Sequence, residues 1–505
     1  MAKYKTTDVA SGQGLFLSVH LKEQLLPGSF EHMLDEIIGA KIDLSIFDRK
    51  YKNDQTGASA VPPSVLLKLI FYGYHNGSIS SRKIYELNNN NIIAKALTGD
   101  MNIHWTTIAD FVSGNKEAVK ETFVQVLTYC NELGLIGGKD FALDGLRLPS
   151  NASMDMSGTE EQMKKRLETY RKMAAKHIER HARKDARGEN DAVTEERFEE
   201  RQRQLNRKIE KIGQFLKGME KKEGRDGKEI QSNVTDNESA MIHSSKGFIQ
   251  GYIGIAVADQ KSQVITSAQA FGNANETEYL PEMLDRNAEN MEAAGVKAEM
   301  GEGERPRVRG DANYFSEENF RACEERGIEA VIPDSQAKRR LGPDGENRYD
   351  VDDFKYDEAG NYYECPQGKR LEYKRTTEQG GVEGKVYQAS LTDCKSCPNF
   401  AKCSWSRKEQ SEQVQGKVLR VTKNNERGCL SRAMRKKFET VECQDKYADR
   451  IQIVEPVFAD IRYCKGLNRF TLRGNEKVNS QWQLYCMVHN LGKCLNGRNA
   501  MKDSA

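Results

Sequence analysis

The chain has 505 residues, enough for two to four domains, and its net charge is only +2 although 30% of its residues are charged. No stretch approaches the ~18 consecutive apolar residues of a membrane span, and residues 1–8 lack the apolar region of a signal peptide. The eleven cysteines are an odd number, and most lie in apolar or helical contexts, as reduced buried thiols usually do. The composition therefore excludes a membrane protein and predicts a cytoplasmic one.

The N-terminal part is predicted to be helical. A strongly apolar helix covers 65–74, a second helix covers 80–87, a third covers 92–97, and a fourth begins at Trp105. Short helices joined by tight turns suit either a helix-turn-helix DNA-binding unit or a plain helical bundle. We assign residues 1–135 to an N-terminal helical DNA-binding domain.

Residues 139–148 form a β-like run, after which residues 158–230 change character. Apolar residues recur there at heptad spacing, and most other residues are charged or glutamine. The heptad positions are Met163, Leu167, Tyr170, Ala174, Phe198, Leu205, Ile209, Ile212 and Leu216. Together with a natural turn at 188–191, this pattern predicts an antiparallel helical hairpin inserted into a larger domain.

Short strands and helices follow the hairpin. Apolar and polar residues alternate over 248–271 around a turn at 259–262. The next elements are a helix over 278–294, a strand over 307–310, a helix over 316–327 and a strand over 329–333. This order predicts an α/β fold in which a central mixed sheet is flanked by helices.

Residues 338–425 break this pattern because they are glycine-rich, polar and hairpin-like. Four cysteines lie close together there, namely Cys365, the Cys394-x-x-Cys397 pair and Cys403. Four thiolates can hold Zn²⁺ tetrahedrally, but the irregular spacing also fits reduced structural thiols. We predict a small cysteine-rich module that either binds zinc or contains reduced structural thiols. A helical part over 426–505 follows it.

The C-terminal part is basic. From Ala401 to the end there are 21 lysines and arginines against 11 acidic residues, a local net charge of +10. This excess suits a polyanionic partner such as nucleic acid, although it also suits a simply solvated surface.

Three carboxylates stand out because each lies at a defined point of a predicted element. Asp144 and Asp311 end short apolar or β-like runs, and Glu455 precedes Pro456, which is expected to break a helix or begin a new one. Each of them alone could be an ordinary turn or surface residue. Held on separate rigid elements, three carboxylates can bind two Mg²⁺ ions for phosphoryl transfer.

The surroundings of Glu455 strengthen this hypothesis. Tyr447, Arg450, Glu455 and Arg462 are spaced by roughly one or two helical turns and can share a face. A carboxylate between two arginines is consistent with a phosphate-handling site, because arginine binds phosphate bidentately.

Several short motifs follow one another in a characteristic order. They lie at 67–74 with 80–84, 141–145 with 151–153, 235–238, 251–252 with 256–259, 309–316, 454–458 and 470–474. In this set the chain resembles the DDE transposases of bacterial insertion sequences, of the group with an RNase H-like core. The resemblance covers most of residues 60–480.

The resemblance implies an RNase H-like mixed sheet and a DNA transposase that cuts strands at the ends of its element and joins them to target DNA. It implies that Asp144, Asp311 and Glu455 are catalytic and hold two Mg²⁺ or Mn²⁺ ions. One metal ion would activate the attacking water or 3′-hydroxyl, and the other would stabilise the leaving oxygen.

The Tyr-Arg-Glu-Lys signature of the family corresponds to Tyr447, Arg450, Glu455 and Arg462, which implies DNA-contacting or auxiliary roles for the two arginines and the tyrosine. The chain departs from the signature twice. One extra residue separates Arg450 from Glu455, and Arg462 occupies the usual lysine position.

The implied partner is double-stranded DNA, both terminal inverted repeats and target, bound by a homodimer in the bacterial nucleoid. The implied organisation beyond residue 135 is a core at 136–157 and 231–337, a hairpin insert at 158–230, a cysteine-rich insert at 338–425 and a C-terminal part of the core at 426–505. Two alternatives remain, a catalytically silent DNA-binding protein derived from a transposase and an RNase H-like nuclease that does not join ends.

Two further aspartates are weaker candidates. Asp236 and Asp259 could join the acidic pocket, although Asp259 suits a turn. The tryptophans Trp105, Trp405 and Trp482 are predicted to be core residues rather than base-stacking ones.

Overall fold

The computed structural model describes residues 20–49, 59–188, 192–224, 227–244, 247–298, 301–335, 337, 349, 351–379, 382–403, 412, 414–422 and 429–503. Trp405 and part of the predicted turn at 188–191 lie outside these residues. No helix within them combines the length and apolarity that crossing a membrane requires.

Helices make up the N-terminal part. They are α1 (Phe30–Ala40), α2 (Ser45–Asp48), α3 (Pro63–His75), α4 (Ser81–Asn90), α5 (Ile92–Thr98), α6 (Trp105–Gly114) and α7 (Lys116–Glu132). Proline at the start of α3 supplies the fixed φ that suits a first helical turn, and α5 ends at Gly99 in the left-handed conformation. The four helices predicted for this part are confirmed, with ends that differ by a few residues.

The central sheet is mixed, as predicted. The strands in this part of the chain are β1 (Asp140–Pro149), β2 (Ser157–Gly158), β3 (Ser232–Asn233), β4 (Ala240–Ser244), β5 (Gly247–Asp259), β6 (Ile265–Phe271), β7 (Arg307–Arg309) and β8 (Glu329–Val331). β2 and β3 form a separate ribbon, and the other six form one sheet in the order β4-β5-β1-β7-β8, with β6 also paired to β5. β1 is antiparallel to β5 but parallel to β7, and β7 is parallel to β8.

Two long helices, α8 (Glu160–Asp185) and α9 (Ala192–Lys217), occupy the region where a hairpin was predicted and pack against each other. α8 begins with a capping box, in which the side chains of Thr159 and Gln162 each accept a hydrogen bond from the other residue's backbone N–H. The apolar positions of the heptad pattern bury a small separate core at the base of the pair, where Met163 and Ile212 are fully buried.

Two helices, α10 (Leu280–Ala293) and α11 (Glu317–Glu325), alternate with the last strands of the central sheet. α10 packs on β6 and β5 and also touches α7 and α11. Ser316 caps α11, because its side chain accepts a hydrogen bond from the backbone N–H of Asn319. Both helices were predicted from the sequence.

The cysteine-rich region contains a second, antiparallel sheet. Its elements are β9 (Lys355–Asp357), β10 (Tyr362–Glu364), β11 (Arg370–Gln379), β12 (Val382–Ala389), α12 (Leu391–Lys395), α13 (Phe400–Cys403) and β13 (Val418–Thr422). This sheet has its own hydrophobic core, and the side chains of Cys365, Cys394 and Cys403 pack against it.

Helices α14 (Leu430–Phe438), α15 (Val441–Ala459) and α16 (Asn475–Asp503) complete the chain. α16 packs on α3, α6, α7 and β6, and it buries Trp482 and Tyr485 completely. Tyr485 stacks on Tyr74 of α3 with ring centroids 4.0 Å apart. The N-terminal helices and the central sheet therefore share one continuous hydrophobic core.

Pro456 neither breaks α15 nor begins a new helix, so this expectation was wrong. The helix runs through it and continues as a π-helical turn over Asp460–Cys464. A proline inside a helix leaves the carbonyl four residues earlier without its N–H partner. That carbonyl belongs to Gln452, and Gln263 Nε2 donates to it at 2.7 Å. A side chain from the turn between β5 and β6 thus replaces the missing backbone hydrogen bond.

Candidate active site

Strand register places Asp144 beside Asp311. The parallel strands β1 and β7 pair Ala142 with Arg309. Two residues further along, β1 reaches Asp144, while the chain leaving β7 reaches Asp311. Both aspartates line one cavity of about 480 Å³ at this edge of the sheet.

Asp144 is held by an arginine from α15. Nη2 of Arg450 donates to Oδ2 of Asp144 at 2.6 Å, and the Gly145 N–H donates to Oδ1 at 2.8 Å. Burial raises the pKa of Asp144 to about 6, the charge of Arg450 opposes this rise, and the charge of Asp311 adds to it. The negative charge of this site therefore changes with pH just below neutrality.

Asp311 caps the one-turn 3₁₀ helix Ala312–Tyr314. Its carboxylate accepts from the backbone N–H of Asn313 at 3.0 Å and from Asn313 Nδ2 at 2.8 Å. Burial raises the pKa of Asp311, while Arg450 and the hydrogen bonds of Asn313 oppose the rise.

The cavity contains a third carboxylate, Glu276, that the sequence analysis missed. Glu276 lies between β6 and α10 and is only 4% exposed. Its Oε1 accepts from Arg147 Nη2 at 2.6 Å and from Asn313 Nδ2 at 2.9 Å. Burial raises the pKa of Glu276, Arg147 opposes the rise, and Asp311 and Asp144 add to it.

A sequence signal for Glu276 did exist. Residues 272–276 read Gly-Asn-Ala-Asn-Glu and connect a predicted strand to a predicted helix. Polar residues in such a connection are frequent in functional sites. This pattern was a weaker signal than the sequences around Asp144, Asp311 and Glu455, because glycine and asparagine are also ordinary loop residues.

All three carboxylates affect the hydroxyl group of Tyr314. Tyr314 is fully buried, and its burial raises the pKa of the hydroxyl. The charges of Glu276, Asp144 and Asp311 then raise it further. All three carboxylates therefore lie close enough to act on one phenol ring.

Glu455 is exposed and does not line the cavity around Asp144 and Asp311. Glu455 lies five positions after Arg450, which corresponds to an angle of about 140° around an α-helix, whereas a spacing of four positions gives about 40°. The extra residue noted in the sequence thus rotates Glu455 away from the direction of Arg450. Burial lowers the pKa of Arg450. The negative charge of Asp144, with a smaller contribution from Glu455, outweighs this effect and raises the pKa overall.

The two other residues of the signature differ in position. Arg462, on the π-helical turn after α15, lines the same cavity as Asp144. Tyr447 is half-buried, and its ring packs edge-on against Phe438 with centroids 5.2 Å apart.

Asp236 and Asp259 are engaged elsewhere and do not line the cavity. Both oxygens of Asp236 accept from the Tyr252 hydroxyl at 2.9 Å. The Asp259 carboxylate accepts from the backbone N–H groups of Gly137 and Gly138, at 3.0 and 2.8 Å. These contacts tie loops to the sheet.

The four cysteines lie near one another without forming a closed site. Burial raises the pKa of the Cys394 thiol, and it raises that of Cys403 to about 11, with the neighbouring thiols adding to both. Backbone N–H groups donate to two of the sulfurs, from Lys369 to Cys365 at 3.4 Å and from residue 417 to Cys394 at 3.2 Å. No three of these sulfur atoms lie within 4.8 Å of one another.

Among the described residues, one group of three potential metal ligands does have all its ligand atoms within 4.8 Å, namely His181, Asp185 and Glu195 on the long helices. Asp185 faces Nδ1 of His181 at 3.2 Å, whereas Glu195 faces Nε2 at 2.9 Å. Asp185 and Glu195 thus contact opposite nitrogens of the His181 ring, and these contacts link α8 to α9.

A mixed sheet flanked by helices, with one aspartate inside β1 and a second just after the neighbouring strand β7, is consistent with an RNase H-like DDE domain. Two family models match the chain. A transposase domain family, DUF772, matches residues 19–114, which include α1 to α6, and the family "Transposase DDE domain" matches residues 364–495, which include Arg450 and Glu455. A search of curated proteins found no match. The two family matches confirm the resemblance to the DDE transposases of insertion sequences and indicate a transposase function.

Proposed function

We propose that the protein is a DNA transposase that cleaves strands at the ends of its element and transfers them into target DNA. Asp144, Asp311 and Glu455 are its proposed catalytic carboxylates. The observation that carries the proposal is the meeting of Asp144 and Asp311 at one cavity faced by α15, within a chain that matches two transposase families.

DDE transposases generally use divalent metal ions, and the donor set here suits Mg²⁺ or Mn²⁺ because both prefer carboxylate oxygens. Asp144 and Asp311 would hold the metal from the sheet. Glu455 does not line the cavity in this structure, so it would have to turn towards the metal when DNA and metal bind. Two bound ions supply Lewis-acid stabilisation of the phosphate and an activated nucleophile.

The basic side chains around the cavity would bind the DNA backbone. Arg147 and Arg462 line the cavity, and the buried Arg450 reaches it through Asp144. Guanidinium groups match phosphate geometry and stay charged at any working pH. In this arrangement Arg450 also keeps Asp144 oriented towards the reacting phosphate.

The DNA partner is proposed to be double-stranded, with the helices α1 to α7 binding the terminal inverted repeats and a homodimer holding two ends. The match of residues 19–114 to a transposase domain supports a role of α1 to α6 in the same reaction.

The four cysteines are proposed to bind a structural Zn²⁺. Support comes from their grouping at one end of the second sheet and from the N–H groups that donate to two of the sulfurs. Such a site would stabilise a small sheet whose own core, among the residues that the structure describes, consists of eight buried residues.

The test uses labelled DNA that carries the inverted repeats flanking the gene, with purified full-length protein and Mg²⁺. Substituting Asp144, Asp311 or Glu455 by alanine should abolish cleavage and leave DNA binding intact. Asp445→Ala is the matched control, because Asp445 is an exposed carboxylate on the same helix as Glu455.

Three outcomes separate the alternatives. Cleavage and joining that need all three carboxylates support the proposal. Cleavage without joining would indicate a nuclease, and specific binding without cleavage in Mg²⁺ or Mn²⁺ would indicate a silent DNA-binding protein. Retained cleavage in all three variants would refute the assigned site.

A further inference from the structure

Glu276 has a carboxylate oxygen that nothing in the described structure satisfies. Its Oε1 accepts hydrogen bonds from Arg147 and Asn313, but its Oε2 is buried and has no hydrogen-bond partner among the described residues. An unpaired buried polar atom costs about 1–3 kcal/mol, and more when it is charged. Such an atom in a native structure needs an explanation.

The free oxygen lies next to the residues of the proposed site. Gly145 follows Asp144 directly, and a Cβ added at Gly145 would stand 2.3 Å from Oε2 of Glu276. Any side chain at this position would displace the carboxylate. Glycine at 145 therefore permits Glu276 to approach the backbone beside Asp144.

Asn313 couples Glu276 to the other aspartate. Its Nδ2 donates both to Oδ2 of Asp311 at 2.8 Å and to Oε1 of Glu276 at 2.9 Å. One amide thus holds two carboxylates at a fixed spacing. Both oxygens of Asp144 and both of Asp311 accept hydrogen bonds, so Oε2 of Glu276 is the exception among six.

We propose that Glu276 is a ligand of the divalent cation that Asp144 and Asp311 bind, an inference that rests on the proposed function. The ligand oxygens of Asp144, Asp311 and Glu276 are not all within 4.8 Å of one another in this structure, so the three side chains would close around a divalent cation as it binds. The ion would then supply the missing partner of Oε2 and offset the charge of the three carboxylates. The hydrogen bonds from Arg147 and Asn313 to Oε1 would orient the side chain and leave Oε2 for the metal.

The test measures Mn²⁺ binding to the purified full chain without DNA, with free Mn²⁺ followed by electron paramagnetic resonance. Glu276→Gln retains the size of the side chain and an oxygen for Arg147 and Asn313, but it loses the charge and the second oxygen. We expect about 10-fold weaker Mn²⁺ binding or more. We also expect a larger water-proton relaxation enhancement per bound ion, since water would take the vacated position.

Glu317→Gln is the matched control. Glu317 is also a buried glutamate, but its oxygens accept from the backbone N–H groups of Leu430 and Ser431, and it lies outside the cavity. Its substitution should leave Mn²⁺ affinity within twofold of the wild type. Gly145→Ala is a second variant that retains every charge and displaces Oε2, and it too should weaken Mn²⁺ binding even if the Glu276→Gln protein does not fold.

Unchanged Mn²⁺ affinity in both variants would overturn the inference. Weaker Mn²⁺ binding with an unchanged relaxation enhancement per bound ion would also overturn it, because the effect of Glu276 would then be purely electrostatic. Loss of Mn²⁺ and of DNA cleavage in Asp144→Asn, with both retained in Glu276→Gln, would refute the role of Glu276 alone. A wild-type protein that neither binds Mn²⁺ nor cleaves DNA would refute the proposed function itself.

Discussion

Asp144→Asn is expected to stabilise the metal-free protein at neutral pH while it abolishes catalysis. Burial raises the pKa of Asp144 from 3.8 to about 6. At about 1.4 kcal/mol per pH unit, ionised Asp144 lowers the free energy of unfolding by about 3 kcal/mol above pH 6. Asparagine has nearly the same shape and does not ionise. Because the pKa of about 6 already includes the attraction of Arg450, the lost ion pair needs no separate allowance, and we expect a net gain of about 3 kcal/mol.

The gain should depend on pH in a defined direction. The pKa of Asp144 is higher in the folded protein than in the unfolded chain, so the folded protein binds this proton more strongly. The destabilisation by Asp144 is therefore absent below pH 3.8, grows up to pH 6 and is complete above pH 6. Between pH 5 and pH 8 the difference between variant and wild type should increase by roughly 1.5 kcal/mol.

Urea denaturation in the presence of EDTA at pH 5, 6 and 8 measures these differences. Asp445→Asn is the control, since it removes an exposed carboxylate of α15 and should change stability by no more than about 0.5 kcal/mol. Saturating Mg²⁺ should stabilise the wild type and leave the Asp144→Asn variant unchanged. A variant that is less stable than the wild type at pH 8, or a difference that is the same at pH 5 and pH 8, would refute the reasoning.

Three further predictions concern stability. Burial raises the pKa of Glu329, but a hydrogen bond from Lys437 helps to lower it to about 2 overall. Glu329→Gln should therefore lower the free energy of unfolding by about 1–2 kcal/mol at pH 7, after allowance for solvent screening. The stabilisation by Glu329 is complete above pH 4.5, and denaturant titrations should show that it disappears as the pH falls towards 2. Gly254→Ala would bring a methyl group to 2.8 Å from the indole of Trp482 and should lower the free energy of unfolding by about 1–3 kcal/mol, with an unchanged melting temperature as the contradicting result. Cys394→Ala should release one zinc per chain in a dye-based assay and lower the melting temperature, and a wild-type protein purified without zinc would contradict the proposed site.

The pairing of Asp144 with Asp311 could be predicted because it depends on local patterns. Both aspartates belong to short runs with β character, and the register of the parallel strands places them side by side. The expectation that each aspartate ends its strand holds for Asp311 but is wrong for Asp144, because β1 continues to Pro149. The mixed sheet could be predicted for the same reason, since each strand and helix carried its own periodicity.

The polar connection at 272–276 was a weak signal for Glu276, but neither the position of its side chain nor the course of α15 could be predicted, because both depend on contacts that are remote in sequence. The position of Glu276 is set by the absence of a side chain at Gly145, 131 residues earlier in the chain. The continuity of α15 through Pro456 depends on the side chain of Gln263, which donates to Gln452 across 189 residues. Periodicity and propensity describe neighbours along the chain, so they contain no information on such contacts.

The burial of α16 between the N-terminal helices and the sheet has a consequence for protein synthesis. Residues 30–132 are made long before residues 475–503. Their helices pack partly on one another, but the faces of α3, α6 and α7 that contact α16 lack this partner until then. The early helices therefore keep this apolar surface exposed while more than 340 residues are translated. At typical rates of 5–20 residues per second, this translation takes on the order of half a minute. Any truncation before α16 would leave the nascent chain without its last core element, so messages cut short should yield aggregated chains rather than free N-terminal fragments.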